Sequence, residues 1–279
     1  MKIGQLPLAD WINSGVDWLS QFTGFFNGVT AFFQAIIDAI QWVFDLVPEW
    51  LFIILVLALT YWLKRNQKKF GFMTFEILGL LLIWNLGFWR DMTQTLTLVL
   101  SSSLIAIIVG IPLGIWMAKS SKAEVVIKPI LDFMQTLPAF VYLIPAVAFF
   151  GIGMVPGVLA SVIFAMPPTV RMTCLGIQQV PEDLIEAADS FGSTSWQKLI
   201  GLQLPLAKTT IMSGINQTMM LGLSMVVIAS MIGALGLGTQ VYFAVGRNDA
   251  GAGFAAGIAV VIVAIILDRI TQSLNKTSR

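Results

Sequence analysis

Long apolar runs alternate with short polar segments along most of the chain. A bilayer core of about 30 Å requires roughly 20 helical residues, and spans as short as about 17 are known. Seven apolar segments approach this length, and they cover residues 47–63, 72–89, 93–118, 130–150, 154–170, 212–235 and 253–270. The pattern therefore predicts an all-α polytopic membrane protein with about seven transmembrane helices.

Residues 22–45 show a different periodicity. Polar side chains recur there at spacings of seven, four, three and four, which places them on one helical face: Asn27, Gln34, Asp38, Gln41 and Asp45. Phenylalanines and isoleucines occupy the opposite face. The segment is predicted to be an amphipathic helix that lies at the membrane interface or against the helical bundle, with a polar transmembrane helix as the alternative.

One long polar segment, residues 171–211, interrupts the apolar pattern, and we call it the island. Its first helical signal begins at Pro181, which is followed by two acidic residues, and ends at Gly192. Thr194 and Gln197 form the pattern of a capping box, which predicts the start of a second helix. That second helix is expected to stop before Pro205.

The positions of lysine and arginine predict the topology. If the island is cytoplasmic, alternation also places residues 64–71, 119–128 and 271–279 on that side. Extended to the adjoining helix ends, these segments hold thirteen of the 16 basic residues: Lys64, Arg65, Lys68, Lys69, Lys119, Lys122, Lys128, Arg171, Lys198, Lys208, Arg269, Lys276 and Arg279. The other side holds three, Lys2, Arg90 and Arg247. The positive-inside rule then predicts an extracytoplasmic N-terminus and a cytoplasmic C-terminus.

Composition supports this class and excludes others. Hydrophobic residues make up 57% of the chain, charged residues only 11%, and the mean hydropathy is +0.86, whereas soluble domains carry about 25% charged residues. The chain lacks histidine, has the single cysteine Cys174, and contains no P-loop, GxSxG, HExxH or kinase signature. We therefore expect a non-catalytic chain with no metal site and no cofactor of its own. The acids within predicted spans, Glu76 and Asp132, are expected to be solvated near helix ends, with a polar pathway as the alternative.

The fourth predicted span contains residues that do not suit a continuous transmembrane helix. Its sequence LDFMQTLPAFVYLIP holds two prolines and several polar groups, namely Gln135, Thr136, Pro138, Tyr142 and Pro145. Non-helical backbone at this depth is tolerated only against protein or a water-filled cavity. The segment is therefore our first candidate for a translocation path. The sixth span supplies a second candidate through Asn216, Gln217, Thr218 and Ser224, for which hydrogen bonding between helices is the alternative.

Within the island, residues 186–205 read EAADSFGSTSWQKLIGLQLP. This stretch resembles the EAA loop of permease subunits of ABC importers, in which EAA is followed at fixed spacing by a glycine and by Ile-x-Leu-Pro. The matching residues are Glu186, Ala187, Ala188, Gly192, Leu204 and Pro205, and Leu202 stands where isoleucine is usual. The resemblance implies that these residues couple the chain to a separate ATPase subunit, which carries ATP and Mg²⁺.

The resemblance extends from about residue 90 to 272. The segments LDFMQTLPAFVYLIPAVAFFGIG, FAMPPTVR, GINQTMMLGLSMVVIASMIG and AIILDRITQ are similar to the glycine betaine/proline betaine branch of these permeases. This similarity implies the transmembrane fold of a type I ABC importer, in a bacterial or archaeal cytoplasmic membrane. It also implies a second copy of the chain, two ATP-binding subunits, surrounding lipid and no nucleic acid. The substrate-binding protein is expected to be a separate extracytoplasmic chain.

The resemblance also divides the chain. Residues 1–46 are expected to be an extracytoplasmic tail with the amphipathic helix, 47–89 the first two spans, 90–272 the permease domain and 273–279 a cytoplasmic tail.

A quaternary ammonium group binds aromatic faces through cation–π attraction. Phe133, Phe140 and Tyr142 are therefore candidates for transient substrate contact, with packing of the bundle as the alternative.

Several functions stay open at this stage. Within the class, the alternative is a permease for another small amine or an amino acid. Glycine betaine, proline betaine, choline and carnitine are not distinguished by the sequence. Outside the class, the alternatives are a secondary transporter or channel that works alone, and a scaffold without a pore.

Overall fold

The computed structural model describes residues 7–63 and 69–276. Within these ranges, thirteen α-helices occur and no strand: α1 Leu8–Ser20, α2 Thr23–Leu46, α3 Glu49–Leu63, α4 Lys69–Asn85, α5 Trp89–Lys119, α6 Ser121–Thr136, α7 Leu143–Phe150, α8 Met154–Gln178, α9 Glu182–Ser190, α10 Ser195–Lys198, α11 Leu204–Ser230, α12 Leu237–Gly246 and α13 Ala250–Lys276. A 3₁₀ turn, Ala139–Tyr142, precedes α7, and a π-helical turn, Leu199–Gln203, joins α10 to α11. Of the basic residues used for the topology, Lys2, Lys64, Arg65, Lys68 and Arg279 lie outside the described residues.

All seven predicted spans fall on helices. In the described part of the chain, five helices are long and apolar enough to cross a membrane, and α6 with α7 forms a sixth candidate that is bent by 108°. The first two predicted spans correspond to α3 and α4, which are shorter apolar helices. The all-α polytopic fold is therefore confirmed.

The centre of the bundle consists of α5, α8 and α11, which pack closely because glycines lie where the helices cross. A Cβ atom added at Gly114 of α5 would lie 2.6 Å from the carbonyl oxygen of Val170 in α8. One added at Gly214 of α11 would lie 2.6 Å from the Cβ of Met172. Such small residues let helix backbones approach each other in a membrane. Gly110 and Gly114 form a GxxxG motif on α5, and both glycines lie against α8.

The fourth predicted span is broken, as its prolines predicted. Leu137 has an extended conformation, the form favoured before a proline, and the chain turns at Pro138 into the 3₁₀ turn. The hydroxyl of Tyr142 donates a hydrogen bond back to the carbonyl oxygen of Met134 across the bend. The helix before the bend begins at Ser121, nine residues earlier than predicted, where the hydroxyl of Ser120 caps it.

The N-terminal helices lie against this bundle. Phe33 and Ile37 of α2 are buried in the main core, and the hydroxyl of Thr97 in α5 donates to Oε1 of Gln41 at 2.8 Å. α2 therefore packs on the bundle, and with 24 residues it is also one of the five described helices long and apolar enough to cross a membrane, which is the alternative of a polar transmembrane helix. The expectation that Glu76 is solvated was wrong, because it is fully buried and accepts a 2.6 Å hydrogen bond from Thr60 of α3.

Three features of the fold were not predicted. α1 is an amphipathic helix with no buried residue, and its mixture of polar and apolar residues hid the pattern. α12 has only ten residues, and it is held to α5 because Thr95 Oγ1 accepts a 2.8 Å hydrogen bond from the backbone N–H of Leu237. α8 continues to Gln178, so the first residues of the island are an extension of a membrane helix.

Candidate functional site

The first half of the island folds as its sequence predicted. α9 ends in a Schellman motif, in which Gly192 has a φ of +74°. The N–H of Ser193 bonds to the carbonyl of Ala188 at 3.0 Å, and the N–H of Gly192 bonds to that of Asp189 at 2.9 Å. A side chain with a Cβ atom is strained at this φ, so glycine sets the direction in which the chain leaves α9.

In the second half of the island the predicted capping box is present, but the helix that it starts ends later than predicted. Thr194 and Gln197 each bond to the other's backbone N–H. The predicted stop before Pro205 was wrong, because the helical path runs without interruption from Ser195 to Ser230. Pro205 lies in the first turn of α11, directly after the π-helical turn, where the missing N–H costs little.

The matched motif residues take different positions on the island. Glu186 and Ala187 are exposed on α9, Ala188 is half-buried, Leu204 packs into the bundle and Pro205 is exposed. An ion pair of 2.5 Å between Lys198 Nζ and Asp189 Oδ1 joins the two halves of the island.

Sequence reasoning missed the two most exposed aromatic rings of the island. Phe191 is 91% exposed and Trp196 is 68% exposed. Aromatic residues within an otherwise polar segment were a signal that would have identified them, since uncovered apolar groups indicate interaction sites.

The island is anchored in the bundle by apolar and polar contacts. Leu199 of the π-helical turn is buried against Ile177 of α8 and Ile211 of α11. At the end of α5, Lys119 Nζ donates to Oε1 of Gln203 at 2.5 Å. The island is therefore attached to α5, α8 and α11.

The second candidate region is a face of the bundle that we call the open face. Three sides of α8 are covered, by α5 at Thr173, by α11 at Met172 and by α6 at Cys174. The fourth side, which carries Arg171 and the exposed Leu175, is uncovered in the described chain. By helical geometry, this side lies between α6 and α11.

α11 continues the open face. Ser213, Gln217 and Ser224 are exposed and lie on one side of the helix. Asn216, which the sequence also nominated, lies on another side, where its Nδ2 donates to Asp268 of α13 at 2.9 Å. Thr218 is buried and bonds at 2.7 Å to Thr169 of α8, so the alternative of hydrogen bonding between helices applies to these two residues.

The bend after α6 borders the same face. Its exposed residues include most of the path candidates from the fourth span, namely Phe133, Gln135, Thr136, Pro138 and Phe140. Tyr142 differs, because it is buried against Met225 of α11 and Phe164 of α8. The packing alternative therefore describes Tyr142, whereas Phe133 and Phe140 are exposed.

A charged pair on the open face was not recognised in the sequence. Arg171 of α8 and Asp132 of α6 form an ion pair of 2.5 Å although they are 39 positions apart. The expectation that Asp132 is simply solvated is therefore incomplete. No sequence signal joins the two residues, since only the packing of α6 on α8 brings them together.

An apolar groove of about 940 Å³ lies elsewhere, between α4, α12 and α13. Its walls include Phe75, Leu82, Val245, Phe254 and Ile258. Because these walls are almost entirely apolar, the groove does not suit a small polar solute.

Comparison with known proteins identifies the family of a chain that carries this island and this open face. Residues 110–279 match the family described as binding-protein-dependent transport system inner membrane component. This match covers more than half of the chain. The chain belongs to this family. The permease is thus a membrane component of an ABC importer, and such a component works together with a substrate-binding protein and an ATPase.

Several relatives of the permease are similar over most of their length. The glycine betaine/carnitine transport permease protein GbuB of Listeria monocytogenes is 72% identical over 278 residues, which cover 100% of this chain and 99% of that protein. The glycine betaine transport system permease protein OpuAB of Bacillus subtilis is 57% identical over 229 residues, 82% of this chain and 80% of that protein. The glycine betaine/proline betaine permease protein ProW of Escherichia coli is 52% identical over 226 residues, 81% of this chain and 63% of that protein.

Solved structures support the fold. An inward-facing structure of the MetNI methionine ABC transporter contains a chain with a TM-score of 0.64 and 19% identity to the permease. The similarity covers 69% of this chain and 96% of that one. The permease therefore has the transmembrane fold of a type I ABC importer.

Proposed function

We propose that the permease is the membrane-spanning subunit of an ATP-driven importer for glycine betaine or a related quaternary-ammonium osmolyte. The observation that carries this proposal is the 72% identity, over 278 residues, to a glycine betaine/carnitine transport permease. The exposed phenylalanine rings at and before the bend support it, since such rings attract a trimethylammonium group.

The working assembly in this proposal contains two copies of the permease, two ATP-binding subunits with ATP and Mg²⁺, and an extracytoplasmic binding protein. The sequence contains no P-loop, so ATP hydrolysis takes place on the partner. Phe191 and Trp196 are uncovered in the described chain and suit a cleft on that partner. Glu186 adds a polar contact beside them. The open face is completed by the second copy.

The proposed orientation places the island in the cytoplasm. The basic residues on its side of the membrane support this placement through the positive-inside rule. The island then lies where ATP is available, and the opposite end of the bundle receives solute from the binding protein.

The proposed coupling follows from the continuity of one helix. The run from Ser195 to Ser230 carries Trp196 at its island end and Gln217 on the open face. Closure of the ATPase pair moves the island, which the Lys198–Asp189 ion pair holds together as a unit. The movement is transmitted along α11 and changes access to the open face.

Reconstitution tests the proposal. The permease, its ATPase and its binding protein are placed in lipid vesicles, and uptake of labelled glycine betaine is measured with and without ATP. We expect ATP-dependent uptake that unlabelled carnitine and proline betaine compete for in proportion to their affinity. Uptake by the permease alone would instead support a secondary transporter, and selective uptake of an amino acid would support a different substrate class.

A further inference from the structure

The ion pair between Asp132 and Arg171 has no role in the coupling described above. It joins Nη2 of Arg171 in α8 to Oδ1 of Asp132 in α6 at 2.5 Å. Arg171 lies seven residues, or about 10 Å, before the end of α8, and Asp132 lies eleven residues, or about 16 Å, after the start of α6. The pair thus lies toward the island end of the open face.

The surroundings of the pair decide what it faces. The Asp132 side chain is 56% exposed and that of Arg171 is 37% exposed. Both charged groups are therefore reachable from the open face, and the pair lies on its wall.

The pair has unused capacity to bind. A guanidinium group has five N–H donors, and the ion pair with Asp132 uses one of them. One side of the pair thus offers N–H donors, and the other offers a carboxylate.

We propose that Asp132 and Arg171 form a transient docking site for a zwitterionic solute on its way along the open face. The solute carboxylate binds the Arg171 guanidinium, and its quaternary ammonium lies near Asp132. This inference rests on the proposed function, because it assumes that the permease carries a zwitterion. To that function it adds the two residues of this chain that recognise the two charges of the solute.

The pairing of the two residues explains how such a site functions without holding the solute. When no solute is present, each charge is compensated by the other, so no unpaired charge remains in the membrane segment. When the zwitterion enters, it replaces one ion pair by two, and the original pair forms again as the solute leaves. A net cation lacks the carboxylate that Arg171 requires and is therefore disfavoured.

A set of variants in the reconstituted complex tests this site. The double variant Asp132→Asn with Arg171→Gln removes both charges without leaving either unpaired. The exchange variant Asp132→Arg with Arg171→Asp keeps an ion pair but reverses its direction. Glu124→Gln is the control, since Glu124 also joins α6 to α8 through Gln178, at 3.4 Å. Uptake of glycine betaine, ATP hydrolysis and the unfolding temperature are measured for each.

We expect the double variant to keep its unfolding temperature and its ATP hydrolysis but to lose at least tenfold in uptake. The exchange variant is expected to stay impaired, because it places a cation at position 132, where the ammonium of the solute should lie. The control should match the wild type. Recovery of uptake in the exchange variant, or a lowered unfolding temperature in the double variant, would mean that the pair only stabilises the packing of α6 on α8. Unchanged uptake in the double variant would overturn this inference alone, whereas absence of uptake by the wild type would overturn the proposed function as well.

Discussion

The island and the open face differ in how their residues are brought together. The residues that shape the island are neighbours in sequence, and their contacts are local: a Schellman motif at Gly192, a capping box at Thr194 and an ion pair between residues nine positions apart. The open face draws its residues from α6, α8 and α11, and its ion pair joins positions 39 apart. A region built from local contacts is readable from sequence, whereas a region built by helix packing is not.

The same difference assigns the two regions separate tasks. Variants of the island are expected to alter the link between ATP hydrolysis and transport, and variants of the open face are expected to alter passage of the solute. α11 belongs to both regions, so its continuity from Ser195 to Ser230 is what connects the tasks. The following changes test whether the two regions separate in this way.

Gly192→Val should have the largest effect. Valine at a φ of +74° is strained by about 1–3 kcal/mol, so the chain leaves α9 in a different direction and α9 and α10 no longer fit one cleft. We expect ATP-driven uptake to fall to background while the permease stays in the membrane. Uptake and ATP hydrolysis in vesicles measure this loss of coupling.

The matched control for this variant is Gly201→Ala. Gly201 lies in the π-helical turn, and a Cβ atom added there meets no atom within 4 Å. It should transport normally. Full transport by Gly192→Val would remove the island from the coupling mechanism.

Phe191→Ala should have the next largest effect. An aromatic ring that fills a partner's cleft commonly contributes 2 kcal/mol or more to binding, which corresponds to about thirtyfold in affinity. We expect the purified ATPase to bind the variant permease about thirtyfold more weakly, as measured by titration in detergent. Ser195→Ala, an exposed change on the same island, should bind as the wild type does, and equal binding by both variants would show that the ring lies outside the interface.

The island was predicted almost completely from its sequence. Proline, glycine and capping signals each act within a few residues, and they placed the start of α9, the turn at Gly192 and the start of α10 correctly. The exceptions are the continuation of α8 to Gln178 and the end of the second helix. A proline normally predicts a helix end, but here a π-helical turn places Pro205 in the first turn of α11.

The open face was predicted only in outline. The polar residues and prolines of the fourth span correctly indicated a break, and Gln217 and Ser224 are exposed on α11. The sequence did not distinguish Gln217 from Asn216, since the side of α11 that α13 covers depends on how the two helices pack. The burial of Tyr142 was not predicted for the same reason, since it depends on how the bend packs against α8 and α11.

Gln217→Leu tests the open face with a smaller effect. The change removes an exposed polar group from the open face, and one lost hydrogen bond to the solute is worth about 1 kcal/mol, or roughly fivefold in rate. We expect uptake to fall by about this factor, while affinity for the ATPase stays unchanged. Gln21→Leu, an exposed change that follows α1, is the control. A parallel loss of ATPase affinity in Gln217→Leu would mean that the two regions are not separable.

Tyr142→Phe should have the smallest effect. It tests directly whether Tyr142 contacts the solute or only packs in the bundle. The change removes the hydrogen bond to the Met134 carbonyl but keeps the ring that packs against Phe164. Loss of one such bond costs about 1 kcal/mol, so we expect a slightly lower unfolding temperature and unchanged uptake. Tyr242→Phe, at an exposed ring on α12, should change neither quantity. If Tyr142→Phe instead lowers uptake severalfold at unchanged stability, the hydroxyl acts on the solute, and the boundary of the open face must be extended past the bend to include the buried side of the 3₁₀ turn.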